Sequence, residues 1–297
     1  MKALALAALL GVVHVHHAPS HDSNASFAAV LSAADAAGLD FVVLTDHADV
    51  SKPWPLPGLE HAGVRVAPSG RRILVLVGAE FATRDGHLLG LAIDHAIPAH
   101  GRSGAEVIRD IHAQGGFAVV PHPFSHGGWH AWKADFDGLE VQNNASDLTR
   151  LYGPLLPLRL VRLALDPEGE LRELWRRPDR ELAKWDELLA AGRRVPGFAG
   201  ADAHQNVSFF GWQLDPYTRM FAGPRMVCPD APLEPAAVWQ LLRSGACSIR
   251  WESNAARAAE AVEVHFDSGR SERQLDGGER LLELRNPPFE PPLYSRP

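Results

Sequence analysis

The sequence predicts an α/β fold, a barrel rather than an open sheet, and three observations carry that expectation. Short apolar runs of strand length alternate with segments of helical periodicity, the pattern of a parallel sheet with crossover helices. Polar residues fall repeatedly just after those runs, at the carboxyl ends of the expected strands; in a closed α/β barrel those ends share one face, where active sites are built. An open doubly wound sheet also binds ligands at its carboxyl ends, but no glycine-rich phosphate loop follows the first apolar run.

Taken in order, Val12–His16 reads as the first strand. Met1-Lys2 followed by Ala3–Gly11 resembles a short signal-peptide core, yet cleavage near Ala8 would leave almost nothing before His14, so the segment reads as structural. Asn24–Ser26 can cap a helix through Phe27, Val30, Leu31 and Ala34, which Gly38 ends. Buried strands follow at Phe41–Leu44 and Ile73–Val77, and a further strand at His87–Ile93. Ser103–Gln114 is a helix closed by Gly115-Gly116; Phe117–Val120 and Leu139–Val141 are strands; Glu181–Ala191 is a helix; Val195–Ala199 is a strand. Beyond His204 the rhythm weakens to a helix at Pro235–Ser244 and strands at Ala246–Trp251 and Ala261–Phe266, and the proline-rich tail from Asn286 forms no packed element. The expected organisation is one barrel over residues 1–250 and a C-terminal extension over 251–297.

Charge and cysteine content bound the function. The formal net charge of −7 argues against a nucleic-acid partner, which calls for a basic stripe. Neither cysteine belongs to a CxxC pair, and Cys228 and Cys247 suggest neither a disulfide scaffold nor a thiolate metal site, so a cytoplasmic setting is the default. No apolar run is long enough to span a bilayer.

The histidines are the signal. There are 15, most of them before residue 131. In His14-Val15-His16 the two imidazoles leave one face of a strand together. Ser20-His21-Asp22, Thr45-Asp46-His47, Glu80 with His87, His122-Pro123 and Asp202-Ala203-His204 follow, each after an expected strand. Alone, each has an ordinary reading as a turn, cap or polar face. Together, imidazole and carboxylate without thiolate suit Zn, Mn or Fe, and so many donors call for two or three ions, with Glu80 placed to bridge a pair.

This ordered set, with Gly78-Ala79-Glu80, Pro121-His122-Pro123 and Gly200-Ala201-Asp202 around the ligands, resembles the PHP (polymerase and histidinol phosphatase) metallohydrolase superfamily over residues 12–204. The stretch His14-Val15-His16-His17 with Ser20-His21-Asp22 resembles its CehA/McbA-type branch. The resemblance implies a distorted (β/α)7 barrel of the PHP type. It assigns His14, His16, Glu80 and Asp202 to a first ion, and Glu80, His87 and His122 to a second. His47 and His204 would share a third with a residue of the first motif, where the family's aspartate position holds His21 and Asp22 comes next.

The expected activity is hydrolysis of a small phosphate ester through a metal-bridging hydroxide, with Asp202 as base and His204 as acid. Arg84 is the candidate phosphate cation, with Arg102 and Arg150 behind it, and His126 and Trp129 could wall a pocket for an aryl or nucleoside group. A carboxylesterase or carbamate hydrolase and a non-catalytic metal-binding module are the alternatives. The expected partner is a small-molecule ester, with neither nucleic acid nor membrane.

Overall fold

The computed structural model describes residues 8–125, 127–148, 156–166, 175, 177–251, 261–275, 278 and 280–289. The chain forms a mixed α/β fold around one large sheet. It opens with β1 (Ala8–Val15), α1 (Phe27–Ala36), β2 (Phe41–Leu44), β3 (Gly63–Val66), β4 (Arg72–Val77), β5 (Ala79–Thr83) and β6 (Gly86–Leu91). Then come α2 (Gly104–Ala113), β7 (Phe117–Val120), β8 (Gly138–Asn143), α3 (Asn144–Leu148), α4 (Leu156–Leu165), α5 (Asp179–Ala190) and β9 (Gly197–Ala203). After these come the short strands β10 (Ser208–Phe209) and β11 (Trp212–Gln213), then α6 (Tyr217–Met220), β12 (Arg225–Pro229), α7 (Pro235–Ser244), β13 (Ser248–Arg250), β14 (Val262–His265), β15 (Ser271–Leu275) and β16 (Arg280–Arg285).

Local chemistry explains the helices expected from sequence. Ser26 caps α1, its hydroxyl accepting from the Ala29 N–H, and Gly38 follows the end with φ 68°. Ser103 and Glu106 cap α2 reciprocally, a capping box. The β-branched runs of β2 and β4 are buried along nearly their whole length, as strands covered on both faces must be.

β1 is the hub. It pairs in parallel with β2 on one side and with β9 on the other, and its first half pairs antiparallel with β12. From β9 the sheet continues in parallel through β8 to β7, and from β2 to β4. The expectation of a parallel sheet is corrected at two places. Gly78 ends β4 and the chain starts a new strand at once: a Cβ there would sit 2.5 Å from the Gly90 carbonyl oxygen, so only glycine passes. The result is an antiparallel hairpin of β5 and β6 that joins β7 antiparallel. The strands after β12 are also antiparallel, and β16 pairs with β13, so the sheet runs on across residue 250. Among the described residues no strand ladder carries β5 on to another strand besides β6, so the sheet is not closed there; a single parallel bridge joins Glu80 to His47, beyond the end of β2.

Cys228 and Cys247 are bonded to each other, a disulfide that the sequence does not suggest. The ladder explains it: Met226 faces Ile249 and Val227 faces Ser248, so the next antiparallel pair is Cys228 and Cys247, with Cα atoms 4.1 Å apart. Spacing in sequence does not reveal a pairing made by register. Among the described residues no helix is long and apolar enough to cross a membrane.

Candidate metal centre

The carboxyl ends of the hub strands bring the histidines together. His14 lies on β1 and His16 just beyond it, His47 follows β2, Glu80 and His87 meet diagonally across the β5–β6 hairpin, His122 follows β7, and Asp202 sits near the end of β9 with His204 just beyond. Three groups of ligand atoms result, each within 4.8 Å of one another: His14, His16, Glu80 and Asp202; Glu80, His87 and His122; and His16, Asp22, His47 and His204. Glu80 is buried and serves two groups with different oxygens. Its Oε1 lies 2.7 Å from His87 Nδ1 and 3.1 Å from His122 Nε2, while its Oε2 lies 3.1 Å from the Nε2 of both His14 and His16.

The backbone is strained where these side chains leave it. His14 (φ 65°), His122 (φ 25°) and Asp202 (φ 50°) all have positive φ, a conformation that L-residues adopt at a cost and that clusters at functional sites.

The charges respond to one another. Burial opposes charging His14, but the Glu140, Asp202 and Glu80 carboxylates around it lift its pKa well above the usual imidazole value. Burial and the neighbouring His204 push His16 down to about 4. Burial would raise Glu80, yet the histidines around it hold its carboxyl well below the usual range. His204 is pushed up to about 9 against burial by its bond to Asp22 and by the Asp202 charge.

The donor set fits divalent cations. It is all nitrogen and carboxylate oxygen, suited to Zn, Mn or Fe. His16 Nε2 and His204 Nε2 are buried with no aligned hydrogen-bond partner among the described residues, although Glu80 Oε2 lies 3.1 Å from the first and Asp22 Oδ2 lies 3.0 Å from the second. Glu80 bonds His14, His87 and His122, while His16 Nε2, equally near, stays out of alignment; imidazoles crowded in this way onto one carboxylate suit ligands of a common ion.

Other expected site residues lie elsewhere. His21 is outside the three groups: its side chain is 64% exposed and faces Asp49, and Asp22 takes the place beside His47 and His204. Trp129 is no pocket wall; it is buried against Gly104 and Phe136, where a Cβ on Gly104 would meet its ring at 2.2 Å. Arg84 is exposed in the β5–β6 turn, and Arg102 is engaged with Asp110 and the Pro98 carbonyl. His126 and Arg150 lie outside the described residues. Tyr217 packs under the centre and donates to the His16 carbonyl, while Phe210 and Trp212 point to solvent.

Sequence reading missed Glu140 and Asn143. Both are buried on β8, and they touch His14, the His122 backbone and Asp202. The signal was available: a glutamate inside the apolar stretch Gly138-Leu139-Glu140-Val141 is a buried charge, which persists only when paired.

No family model matches the chain. An uncharacterized protein of Methanocaldococcus jannaschii is 34% identical over 119 residues, which cover 38% of this chain and 64% of that protein. The match thus spans less than two thirds of the relative's own length. Among solved structures, a two-domain protein of Bacteroides vulgatus containing a predicted PHP-like metal-dependent phosphoesterase is similar with TM-score 0.50 and 13% identity, over 94% of this chain and 86% of that one. Endonuclease Q, in complex with a 27-mer duplex carrying an abasic lesion, is similar with TM-score 0.42 and 12% identity, over 80% of this chain and 56% of that one. At such identities the likeness concerns the fold. The exclusion of nucleic acid from net charge is withdrawn, because the charge of a whole chain does not describe the field at one site.

Proposed function

We propose that this protein is a divalent-metal-dependent hydrolase of the PHP superfamily acting on phosphate esters. The single observation that carries the proposal is the set of three adjoining ligand groups, linked through Glu80 and His16, at the carboxyl ends of β1, β2, β7 and β9. The His47–Glu80 bridge supports reading the open sheet as a distorted barrel. The branch resembling CehA/McbA rests on the first motif, His14 to Asp22. His14, His16, Glu80 and Asp202 would hold one ion, Glu80, His87 and His122 a second, and His16 or its neighbours Asp22, His47 and His204 a third.

Two or three divalent ions (Mn, Zn or Fe) would supply Lewis acidity, polarising the ester and acidifying water. The protein's side chains do the rest. Asp202 Oδ1, close to His14 and His16, is placed to take a proton from the attacking water. With only the first two ions bound, His204 Nε2, 3.0 Å from Asp22, would be free to give a proton to the leaving oxygen; with a third ion bound it would be a ligand instead. A cavity of about 100 Å³ beside Asp202 and His204, with Leu148, Val207 and Met220 in its wall, offers room for the organic part of the ester. The carboxylesterase alternative loses its Trp129 argument, since that ring is packed away.

The test is metal analysis of purified protein paired with turnover of p-nitrophenyl phosphate, bis-p-nitrophenyl phosphate and 1-naphthyl acetate after loading with Mn, Zn or Fe. Phosphate-ester turnover that a chelator removes supports the proposal. Turnover of the acetate alone, or of nothing by a metal-loaded protein, overturns it.

A further inference from the structure

We propose that Glu140 is the positioning residue of the metal centre: its one carboxylate holds His14 and His122 in ligand geometry and ties Asp202 to them through Asn143. This inference rests on the metal-centre reading above and deepens it.

The carboxylate is buried, and the structure gives it three donors. Its Oε1 lies 2.7 Å from His14 Nδ1. Its Oε2 accepts the His122 backbone N–H at 3.0 Å and an Asn143 amide N–H at 2.9 Å. The same Asn143 amide lies 3.2 Å from Asp202 Oδ2. Three consequences follow.

First, an acceptor at Nδ1 fixes the His14 tautomer. The proton stays on Nδ1, and the lone pair on Nε2 faces Glu80 and Asp202, where an ion would sit. Second, the three ligands reached from Glu140 are the three with positive φ, namely His14, His122 and Asp202. Bonds from one buried carboxylate, direct or through Asn143, counter the cost of those conformations. Third, the neighbouring strand is shaped around this carboxylate. A Cβ on Gly200 would sit 2.0 Å from Glu140 Oε1, so any side chain there would push the carboxylate from its place.

The arrangement is selective. Among the described residues Glu140 makes its hydrogen bonds to His14, His122 and Asn143 and none to the group of His16, Asp22, His47 and His204; Ser20 serves that group instead, close to His16 Nδ1 and accepting the His47 N–H. Losing Glu140 therefore weakens two ion sites and spares the third.

Glu140→Gln removes the carboxylate with little change of shape. An amide presents one acceptor and one donor where the protein offers only donors, so one of the three contacts is lost. Gly200→Ala is the second variant: it keeps Glu140 but displaces its carboxylate. Chelator-stripped wild type and variants are titrated with Zn(II) against a chromophoric chelator, and Co(II)-loaded samples are compared by visible absorption. The expected result is that both variants lose affinity at two of the wild-type sites by about 10- to 100-fold, keep the third, and change the Co(II) spectrum. Wild-type affinity and spectrum in folded Glu140→Gln overturn the inference, as does equal loss at all sites. If Glu140→Gln does not fold, Gly200→Ala decides alone by the same two readouts. A wild type that binds no divalent ion overturns the metal-centre reading itself, a different outcome from a wild type and variant that bind alike.

Discussion

Two buried charge clusters in this protein are satisfied in opposite ways. Beneath the C-terminal hairpin, Arg270 and Glu272 are almost fully buried, and every charge meets its opposite in hydrogen-bond geometry. Arg270 donates through Nε and Nη2 to the two oxygens of Asp186, at 2.6 and 2.7 Å, and through Nη1 to Glu272. Arg177 completes the set on Glu272. Planar guanidinium forks match carboxylates point for point. At the carboxyl ends of the strands the burial is as deep, yet one carboxylate, Glu80, meets the imidazoles of His14, His16, His87 and His122 at once, and His16 Nε2 and His204 Nε2 are left unmatched. A cluster that closes on itself holds the fold together. A cluster whose lone pairs converge on a common point is built to hold something else.

Substitutions sharpen that contrast, and the largest effect belongs to Glu80. Glu80→Gln should cut phosphate-ester turnover by more than the roughly 100-fold expected of an outer-shell residue. It should also abolish ion binding in two groups while the apo protein still folds, checked by metal analysis and circular dichroism. Next comes His204→Asn, where loss of an acid lowers kcat by about 10²- to 10⁴-fold. The loss should be smaller for p-nitrophenyl phosphate, whose leaving group needs no proton, than for an alkyl phosphate; equal losses would leave His204 a ligand only.

The other cluster should fail in stability rather than in ion binding. Arg270→Ala strips Asp186 of its guanidinium and leaves Glu272 with Arg177 alone, and should cost about 3 kcal/mol in denaturant unfolding, with ion stoichiometry unchanged. Ion loading at a hundredfold excess over Kd should stabilise the wild type by about 2.7 kcal/mol and leave this deficit as large as before. The smallest effect is on pH. Burial disfavours the charged form of Asp186, but its bonds to Arg270 and Ser268 outweigh that and depress its pKa below the usual carboxylate value. Its contribution is therefore present above the unfolded pKa and lost as pH falls through the lower folded one. Arg270→Ala should remove that acid dependence, seen as a flatter stability profile below about pH 4.

Much of this was legible along the chain. α1 and α2 announce themselves through Ser26, Ser103 and Glu106, because capping is local chemistry. β2 and β7 coincide with short β-branched runs. The histidines stood out because neither a core nor a turn calls for His14 and His16 side by side, then His47, His87 and His122, each just after an expected strand. What escaped depends on neighbours distant in sequence. His87–Ile93 reads as a further strand, but no local signal starts β5 at Ala79 or shows that β5 and β6 pair antiparallel. Trp129 looks like a pocket wall until Gly104 is seen beneath it. Glu140 is 126 residues from the histidine it contacts.

The amino-acid sequence by itself determined the α/β character of the chain and the chemical identity of its donors, because periodicity, capping and ligand type are properties of residues. The tertiary structure decided which donors share a point, that Asp22 and not His21 stands with His47 and His204, that Cys228 meets Cys247, and that Glu140 lies behind His14. Those outcomes are set by strand register, where a shift of one residue turns every side chain to the other face of the sheet, and no local pattern encodes the partner's register.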